Sequence, residues 1–361
     1  ADAGVDQTIC DGQSATIGGS PTGPAGATYL WDNGASLSST SIANPIATPT
    51  VTTTYSVTVT DGNSCSAIDQ VTITVNPTPN VDAGADQVIC NLGSVIIGGS
   101  PTSLTAGATF LWDNAATLSN ATVANPTASP TVTTTYTVTV THPNLCTATD
   151  QMTVTVNPLP IADAGVDQDI CIGSSITIGG SPTGPAGATY VWDNGASLSS
   201  TSIANPIASP TVTTTYSVTV TDGNSCTAVD QVVITVNPLP TVDAGVDQTI
   251  CDGQSVTIGG SPTSSTPGVI YAWDNSSSLN SSALANPTAS PTVTTTYTVT
   301  VTDGNSCTNT DQVTITVNPL PITDAGSDQS ICIGGSATIG GSPTGPAGAT
   351  FAWDNGASLS S

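Results

Sequence analysis

Two segments of the chain alternate between apolar and polar residues, and both recur several times along the sequence. Their first copies span residues 52–60 and 67–75, where Val, Ile and Tyr occupy every second position over most of the length. A period of two predicts β-strands with one buried face, and the Asp-Gly-Asn turn between the segments predicts a hairpin. Residues 5–10 and 15–18 flank another Asp-Gly turn and are predicted to form a further hairpin, while residues 27–31 form a separate strand.

This strand pattern belongs to a sequence repeat. The tripeptide Trp-Asp-Asn recurs at a nearly constant spacing, which defines four complete repeats and the first half of a fifth. With short edge strands expected between residues 36 and 50, each repeat has about seven strands, which is typical of an immunoglobulin-type β-sandwich. Asn-Pro-x-Pro sequences join the repeats, and two prolines so close together favour a stiff, extended connection.

The sequence therefore predicts an all-β protein, a tandem array of immunoglobulin-like β-sandwich domains that forms an extended rod. The sequence begins at Ala1 without a start methionine and stops in the middle of a repeat, so we expect it to be a segment of a longer array. Alternate repeats are the most alike, which indicates that a pair of domains was duplicated. The predicted domains are residues 1–79, 80–160, 161–240, 241–321 and, as a truncated fifth repeat, 322–361.

Composition excludes several classes of partner. The 361 residues include no Lys or Arg and 25 acidic residues, all of them Asp, so the formal charge is −25. Such a charge repels nucleic acids and anionic membrane surfaces, and neither is expected as a direct partner. No apolar stretch approaches the roughly 18 residues that a membrane span needs, so membrane insertion is not expected either.

Nine cysteines are spaced regularly, because a long gap inside each complete repeat alternates with a shorter gap between repeats. This regularity is typical of structural disulfides and indicates an oxidising, extracellular setting. Zinc binding is the competing interpretation, but the sequence lacks Cys-x-x-Cys motifs and Cys/His clusters.

Two disulfide schemes fit these gaps. One joins the cysteines inside each repeat, as Cys10–Cys65, Cys90–Cys146, Cys171–Cys226 and Cys251–Cys307. In an immunoglobulin-type domain, however, the first-strand cysteine lies near the C-terminal pole and the cysteine after the last hairpin lies near the N-terminal pole. The two are then too far apart for the Cα limit of about 7 Å.

The poles of successive domains do meet, so the inter-repeat scheme is favoured. Its pairs are Cys10–Cys146, Cys90–Cys226 and Cys171–Cys307. This scheme puts the partners of Cys65, Cys251 and Cys332 outside the sequence.

The recurring aromatic residues are predicted to lie in the domain cores. Each Trp ends a strand and follows a Tyr or Phe by two positions, so both side chains lie on one face. One such pair suits the core of a small sandwich, and an exposed platform for stacking sugars is the less favoured alternative. A Tyr in the first long strand occupies the position of a corner tyrosine. The predicted core residues are Trp31, Trp112, Trp192, Trp273, Trp353, Tyr55, Tyr136, Tyr216 and Tyr297.

Aspartates recur at equivalent positions of the repeats, and two interpretations remain open. Asp stabilises turns through Asx hydrogen bonds, which suits Asp61 in the hairpin turn. Asp69 differs, because alternation points it inward, where without a basic partner it must bind backbone N–H groups, amides, water or a cation. Ca²⁺ prefers such carboxylate oxygens and is the one cofactor considered. The candidate ligands are Asp6, Asp61, Asp69 and their equivalents Asp86, Asp167, Asp247, Asp328, Asp222, Asp303, Asp150, Asp230 and Asp311.

No enzyme is predicted. His142 is the single imidazole, and it stands next to Pro143, where the other hairpin turns have Asp. A catalytic triad needs a buried and oriented His, whereas a turn substitution explains this one more simply. The recurring carboxylates argue against a glycosidase, because every repeat would then carry the same active site.

Three segments of repeat 1, Gln7–Cys10, Tyr29–Gly34 and Thr54–Cys65, resemble the Ig-like or PKD-like repeats of Bacteroidota cell-surface proteins, including the gliding-motility adhesins of flavobacteria. The resemblance extends over the whole chain. It implies a secreted array on the cell surface, exported by the type IX route.

The predicted function is mechanical: an extracellular, rod-like stalk or filament that holds a distal adhesive region away from the cell. The alternatives are a laterally bundled structural polymer, as in a sheath or surface layer, and a spacer attached to a secreted polysaccharide-degrading enzyme. The expected partners are further repeats of the same chain, identical rods beside it, surface glycans or a cell-surface anchor.

Overall fold

The computed structural model describes residues 1–354. In this part of the chain four copies of one β-sandwich follow each other, so the protein is an all-β tandem array of immunoglobulin-like domains. Among the residues described, no helix has the length and apolar character that a membrane crossing requires.

The chain divides into two compact units. The first comprises Ala1–Ile161 together with Pro185–Thr189 and Val220–Ala228, and so contains the first two sandwiches. The second comprises the remaining described residues. The five domain boundaries given above stay a prediction.

Repeat 1 shows how each sandwich is built. Its elements are β1 (Gln7–Cys10), β2 (Ala15–Thr16), β3 (Thr28–Trp31), a 3-10 helix (Gly34–Ser36), β4 (Ile46–Ala47), β5 (Thr53–Thr60) and β6 (Ser66–Asn76). β5 and β6 are the two alternating segments, and they form the predicted antiparallel hairpin. The large sheet has the order β1-β6-β5-β3, and β2 pairs with β4 in a small second sheet.

The same elements recur in the next three repeats. Repeat 2 has β7 (Gln87–Cys90), β8 (Val95–Ile96), β9 (Thr109–Trp112), a 3-10 helix (Ala115–Thr117), β10 (Thr127–Ala128), β11 (Thr134–Thr141) and β12 (Thr147–Asn157). Repeat 3 has β13 (Gln168–Cys171), β14 (Ile176–Thr177), β15 (Thr189–Trp192), a 3-10 helix (Gly195–Ser197), β16 (Ile207–Ala208), β17 (Thr214–Thr221) and β18 (Thr227–Asn237). Repeat 4 has β19 (Gln248–Cys251), β20 (Val256–Thr257), β21 (Ile270–Trp273), a 3-10 helix (Ser276–Ser278), β22 (Thr288–Ala289), β23 (Thr295–Thr302) and β24 (Thr308–Asn318).

The hairpin predicted between residues 5–10 and 15–18 is wrong. β1 pairs in parallel with β6 of the large sheet, whereas β2 pairs antiparallel with β4 of the small sheet. The chain therefore crosses from one layer to the other at the Asp-Gly turn. The crossing allows Ile9 and Ile17 to enter the core from opposite layers, and both are buried.

The polar stretch between residues 36 and 50 also differs from the prediction. It contributes one two-residue strand, β4, and a bridge between Leu37 and Ala47, so the repeat has six strands. Pro45 and Pro49 lie on either side of β4. Because proline donates no backbone hydrogen bond, a longer strand is disfavoured there.

The core of each repeat lies between its two sheets. In repeat 1, alternation buries Tyr55 and Val57 on β5 and Val71 and Ile73 on β6. Trp31 at the end of β3 is 2% exposed and packs in the same cluster. The equivalent aromatic residues of repeats 2 to 4 are buried as well, namely Trp112, Trp192, Trp273, Tyr136, Tyr216 and Tyr297.

Trp353 does not lie in a core, contrary to the prediction. It is 39% exposed, and Phe351 two positions earlier is 51% exposed. In repeat 1 the strand that ends in Trp31 pairs with the long strand β5, and the sequence stops at Ser361, before the position of such a strand in repeat 5. Residues 355–361, the end of the predicted fifth domain, lie outside the described residues.

Trp31→Ala should open a cavity in the core of repeat 1 and lower its free energy of unfolding by about 3–5 kcal/mol. Hydrogen exchange of peptides from each repeat, followed by mass spectrometry, measures this loss and shows where it falls. Leu30→Ala is the control, because the neighbouring Leu30 is 64% exposed. Its truncation should change the stability by less than about 0.5 kcal/mol. Equal effects of the two substitutions would contradict the core position of Trp31.

Candidate functional site

The hairpin between β5 and β6 presents a cysteine at one end of the sandwich. Asp61 Oδ1 accepts hydrogen bonds from the backbone N–H groups of Asn63 and Cys65, at 2.8 and 2.9 Å. Ser64 between them has a φ of 68°, in the left-handed region. One carboxylate therefore fixes the turn that carries the cysteine, which is an Asx-type arrangement. Asp222 and Asp303 make the same contacts in repeats 3 and 4.

Repeat 2 builds this turn from two side chains. His142 stands in place of the Asp, and its Nδ1 accepts a hydrogen bond from the backbone N–H of Asn144 at 3.0 Å. Asn144 Oδ1 then accepts one from the backbone N–H of Cys146, also at 3.0 Å. His142 and Asn144 thus share the two contacts that a single carboxylate makes in the other repeats, and the role of His142 in the structure is to hold the turn.

The first cysteine of a repeat lies at the other end of the sandwich. Cys10 is the last residue of β1, and the parallel register places it beside Asn76, the last residue of β6. Cys65 immediately precedes Ser66, the first residue of β6. Because β6 has 11 residues, the two cysteines are about 35 Å apart along the strand. A disulfide between them is excluded by this separation.

The cysteines pair between successive repeats. Disulfides join Cys10 to Cys146, Cys90 to Cys226 and Cys171 to Cys307, with Cα–Cα distances of 5.7, 5.5 and 5.5 Å. Each disulfide links the first-strand cysteine of one repeat to the hairpin cysteine of the next. This is the inter-repeat scheme, which was favoured because the C-terminal pole of one domain meets the N-terminal pole of the next. The intra-repeat pairs Cys10–Cys65, Cys90–Cys146, Cys171–Cys226 and Cys251–Cys307 do not form.

Burial of the cysteines follows this pairing. The hairpin cysteines Cys146, Cys226 and Cys307 are at most 1% exposed, because the disulfide and the preceding repeat cover them. The equivalent Cys65 of repeat 1 is exposed and unpaired among the residues that the structure describes, and so are Cys251 and Cys332. The joint between repeats therefore consists of a hairpin, a disulfide and the pole of the preceding sandwich.

Two asparagines contribute to the joints and were not predicted. Asn144 Nδ2 donates to the carbonyl oxygen of Pro77 at 3.2 Å, and Asn309 Nδ2 donates to that of Pro240 at 3.0 Å. Both acceptors belong to the Asn-Pro-x-Pro connectors, so the hairpin binds the connector beside which it lies. Asn144 resembles an ordinary turn former, and Asn309 stands where other repeats have Ala. Neither position carries a sequence signal for this contact.

Trp31 is held as a core residue and not as a platform for sugars. Its indole Nε1 donates to the carbonyl oxygen of Ile42 at 3.0 Å, so its single polar atom is satisfied inside the fold. Trp112, Trp192 and Trp273 make the equivalent bond in their repeats. The hydroxyl of buried Tyr55 pairs with that of Ser36 at 2.7 Å. It thereby ties β5 to the 3-10 helix.

Two aspartates clamp the N-terminal segment of a repeat to β6. Asp6, just before β1, accepts the backbone N–H of Thr72 at 2.8 Å. Asp69 on β6 accepts the backbone N–H of Ala3 at 2.8 Å. The two contacts run in opposite directions between the same two segments, and equivalent pairs occur in repeats 2 to 4.

The clamp changes the acidity of Asp69. The hydrogen bond from Ala3 N–H, followed by that from Gln70 N–H, holds the pKa of Asp69 below its usual value. A hydrogen bond to the charged form favours ionisation, and here it outweighs partial desolvation, which acts in the other direction. Backbone N–H donors therefore stabilise the ionised carboxylate of Asp69, as a neighbouring basic side chain often does in other proteins.

The Ca²⁺ candidates Asp6, Asp61, Asp69 and their equivalents are not brought together. Within residues 1–354 no three His, Cys, Asp or Glu side chains converge as ligands for a metal ion. In repeat 1 each candidate directs an oxygen at a backbone N–H instead, on different segments of the sandwich. In the described part of repeat 1, the partners of these carboxylates are main-chain N–H groups.

No protein-family model and no curated protein matches the sequence. Several of the solved structures that resemble the chain are described as runs of immunoglobulin domains. The N-terminal eight Ig domains of Down syndrome cell adhesion molecule are 12% identical, with a TM-score of 0.38 over 88% of this chain and 49% of that one. The insect immune protein hemolin is 13% identical, with a TM-score of 0.25 over 88% and 99%. Extracellular domains 3–5 of Drosophila OTK are 10% identical, with a TM-score of 0.26 over 67% and 97%.

Replacing Cys10 and Cys146 together by Ser should destabilise repeats 1 and 2. The bridge closes a separation of 136 residues, and removing a loop of that size costs up to about 5 kcal/mol in the chain-entropy description. Calorimetry of the oxidised proteins measures the loss, and Cys65→Ser, at an exposed unpaired cysteine, should leave the melting profile unchanged. Peptide mapping without reductant, using a protease other than trypsin, must recover Cys10 linked to Cys146. Recovery of Cys10 linked to Cys65 would contradict the joint.

Repeat 1 should lose stability as the pH falls below about 4. Because the pKa of Asp69 is lowered on folding, its contribution is present above the unfolded pKa and disappears as the pH falls through the folded one. Asp69→Asn keeps an acceptor for Ala3 N–H but cannot ionise, so the decrease in stability from pH 7 to about pH 3 should be smaller. Asp11→Asn, at an exposed Asp, is the matched control. Urea unfolding at both pH values measures the free energy of unfolding of each variant. The same decrease between the two pH values in Asp69→Asn and Asp11→Asn would refute the role of Asp69.

Proposed function

We propose that the protein is a non-catalytic, extracellular stalk that transmits force between a cell surface and a distal adhesive region. The observation that carries the proposal is the set of disulfides between successive repeats. A disulfide within a domain would stabilise that domain alone. A disulfide between repeats adds a second covalent connection to the one that the backbone provides, which serves a chain under tension.

The disulfides also support the location. Bridges of this kind persist outside the reducing cytoplasm, at cell surfaces and in secreted proteins. The resemblance to Bacteroidota surface repeats extends the proposal to an adhesin of the gliding-motility type, exported by the type IX route. Further repeats of the same chain and a cell-surface anchor are its partners in this proposal.

The chemistry of the surface suits a spacer. The formal charge is −25 with no basic side chain, so neighbouring stalks repel each other and stay hydrated at low salt. In repeat 1 the candidate side chains for ligand binding make contacts within the fold. Trp31 is buried. The carboxylates of Asp6, Asp61 and Asp69 accept hydrogen bonds from backbone N–H groups. Stiff proline-containing connectors between the sandwiches extend the proposal to a rod.

Lateral bundling is the second candidate, and one observation favours it. Leu30 on β3 and Ile68 on β6 lie in one cross-strand row of the large sheet, on either side of Thr58, and both are more than half exposed. Val191 and Val229 occupy the equivalent positions of repeat 3 and are exposed too. Repeats 2 and 4 have Thr in place of Ile68. An apolar pair on alternate repeats is a place where two stalks could meet.

Small-angle X-ray scattering tests the stalk. A rod of four and a half sandwiches, each about 35 Å long, should have a radius of gyration of roughly 45 Å. A compact chain of 361 residues would have a radius of gyration of about 21 Å. A value near the compact one would contradict the stalk. A radius that rises with concentration in the wild type, but not in Leu30→Ser/Ile68→Ser, would favour bundling.

A further inference from the structure

The three disulfides form overlapping loops. The loop that Cys10–Cys146 closes contains Cys90, and the loop that Cys90–Cys226 closes contains Cys171. Each bridge spans 136 residues, which exceeds the length of one repeat, so each new loop opens before the preceding one has closed. The loops of Cys10–Cys146 and Cys171–Cys307, by contrast, follow each other without overlap.

This connectivity provides a short covalent route through the array. From Cys10 the route crosses a disulfide to Cys146, follows the backbone to Cys171 and crosses a second disulfide to Cys307. The backbone part, from Cys146 to Cys171, is less than a tenth of the sequence that separates Cys10 from Cys307. The residues from 11 to 145 and from 172 to 306 lie off this route.

The segment from Cys146 to Cys171 is already mostly extended in the fold. It consists of β12 (Thr147–Asn157), a connector and β13 (Gln168–Cys171). Strands have nearly the full length that a chain can reach, so only the connector, residues 158–167, can straighten further. Fully stretched, the whole segment measures roughly 85 Å.

We propose that the overlapping disulfides limit the extension of the chain under load, so that unfolding of a sandwich does not lengthen it. The inference rests on the load-bearing function proposed above. Without bridges, the stretch from Cys10 to Cys307 would reach roughly 1000 Å when unfolded. With them, tension passes through the two disulfides and the short segment, and the bypassed parts of the sandwiches carry little of it.

The three bridges differ in how much each shortens the covalent route, although their Cα–Cα distances are alike. Cys10–Cys146 and Cys171–Cys307 lie on the shortest route, whereas Cys90–Cys226 lies beside it. The route between the chain ends has a contour length of roughly 300 Å with all three bridges, and losing Cys90–Cys226 does not change it. Losing Cys10–Cys146 diverts the route through Cys90–Cys226 and raises the contour length to roughly 680 Å.

Single-molecule stretching between handles on peptide tags at the two ends of the chain tests the proposal. All proteins carry Ser at Cys65, Cys251 and Cys332, so that no unpaired cysteine can exchange with the three bridges. The oxidised protein should reach its limit at roughly 300 Å. It should lack the steps of roughly 240 Å that a free repeat would give on unfolding, which is the stretched length of its chain minus the length of the folded sandwich. After reduction, those steps should appear and the contour length should approach roughly 1200 Å.

Two matched variants make the test specific. The Cys90→Ser/Cys226→Ser protein should keep the limit of the parent, and the Cys10→Ser/Cys146→Ser protein should stretch about twice as far. The contour length depends on covalent connectivity, so a variant whose sandwich is destabilised still reports on the route. Long unfolding steps in the oxidised parent, or equal lengthening in both variants, would overturn the extension limit. The radius of gyration of the unloaded chain, which tests the stalk, is independent of either outcome.

Discussion

β1 pairs in parallel with the second half of β6, and the positions of both cysteines of a repeat follow from this pairing. It places Cys10 beside Asn76, where the chain leaves the sandwich, while β6 separates Cys10 from Cys65 at the other end. No disulfide can then form within the repeat, and the hairpin of the next repeat lies within reach of Cys10. Had β1 instead formed a hairpin with β2, Cys10 would not be held beside Asn76, and the pairing with β6 would no longer place it at the joint.

The absence of basic side chains imposes a second constraint, and the main chain meets it. A carboxylate removed from water needs donors, and with no Lys or Arg in the sequence the backbone N–H groups are the strongest ones that remain. Asp6 accepts from Thr72 N–H on β6, one residue before the pairing of β1 with β6 begins, and Asp69 accepts from Ala3 N–H ahead of β1. Asp61 accepts from the N–H groups of a turn. Each carboxylate thus accepts a hydrogen bond from a backbone N–H group, as a backbone carbonyl oxygen does within a regular strand or turn.

How far the sequence predicts the structure depends on where the information is local. The alternating segments 52–60 and 67–75 agree with Thr53–Thr60 and Ser66–Asn76 to within a residue or two, because a period of two is a property of one strand. The pairing of β1 depends on β6, which lies at the opposite end of the repeat in sequence, and local turn chemistry predicted the wrong partner. The predicted core position of Trp353 was wrong for a similar reason, because burial depends on the strands that cover a side chain. The contacts of Asn144 and Asn309 depend on the neighbouring repeat, which no single repeat encodes.

The joints connect stability to mechanics. A sandwich of about 80 residues buries a smaller fraction of its surface than a larger domain does, so contacts with its neighbours add proportionally more to its stability. Repeat 2 is tied through Cys146 to repeat 1 and through Cys90 to the hairpin that carries Cys226, so its unfolded state stays confined by two bridges. Stability then becomes a property of neighbours, as in other repeat arrays, and confinement lowers the entropy gained on unfolding. Because the same bridges shorten the covalent route, the connectivity that stabilises each sandwich also restricts how far the chain lengthens when a sandwich opens.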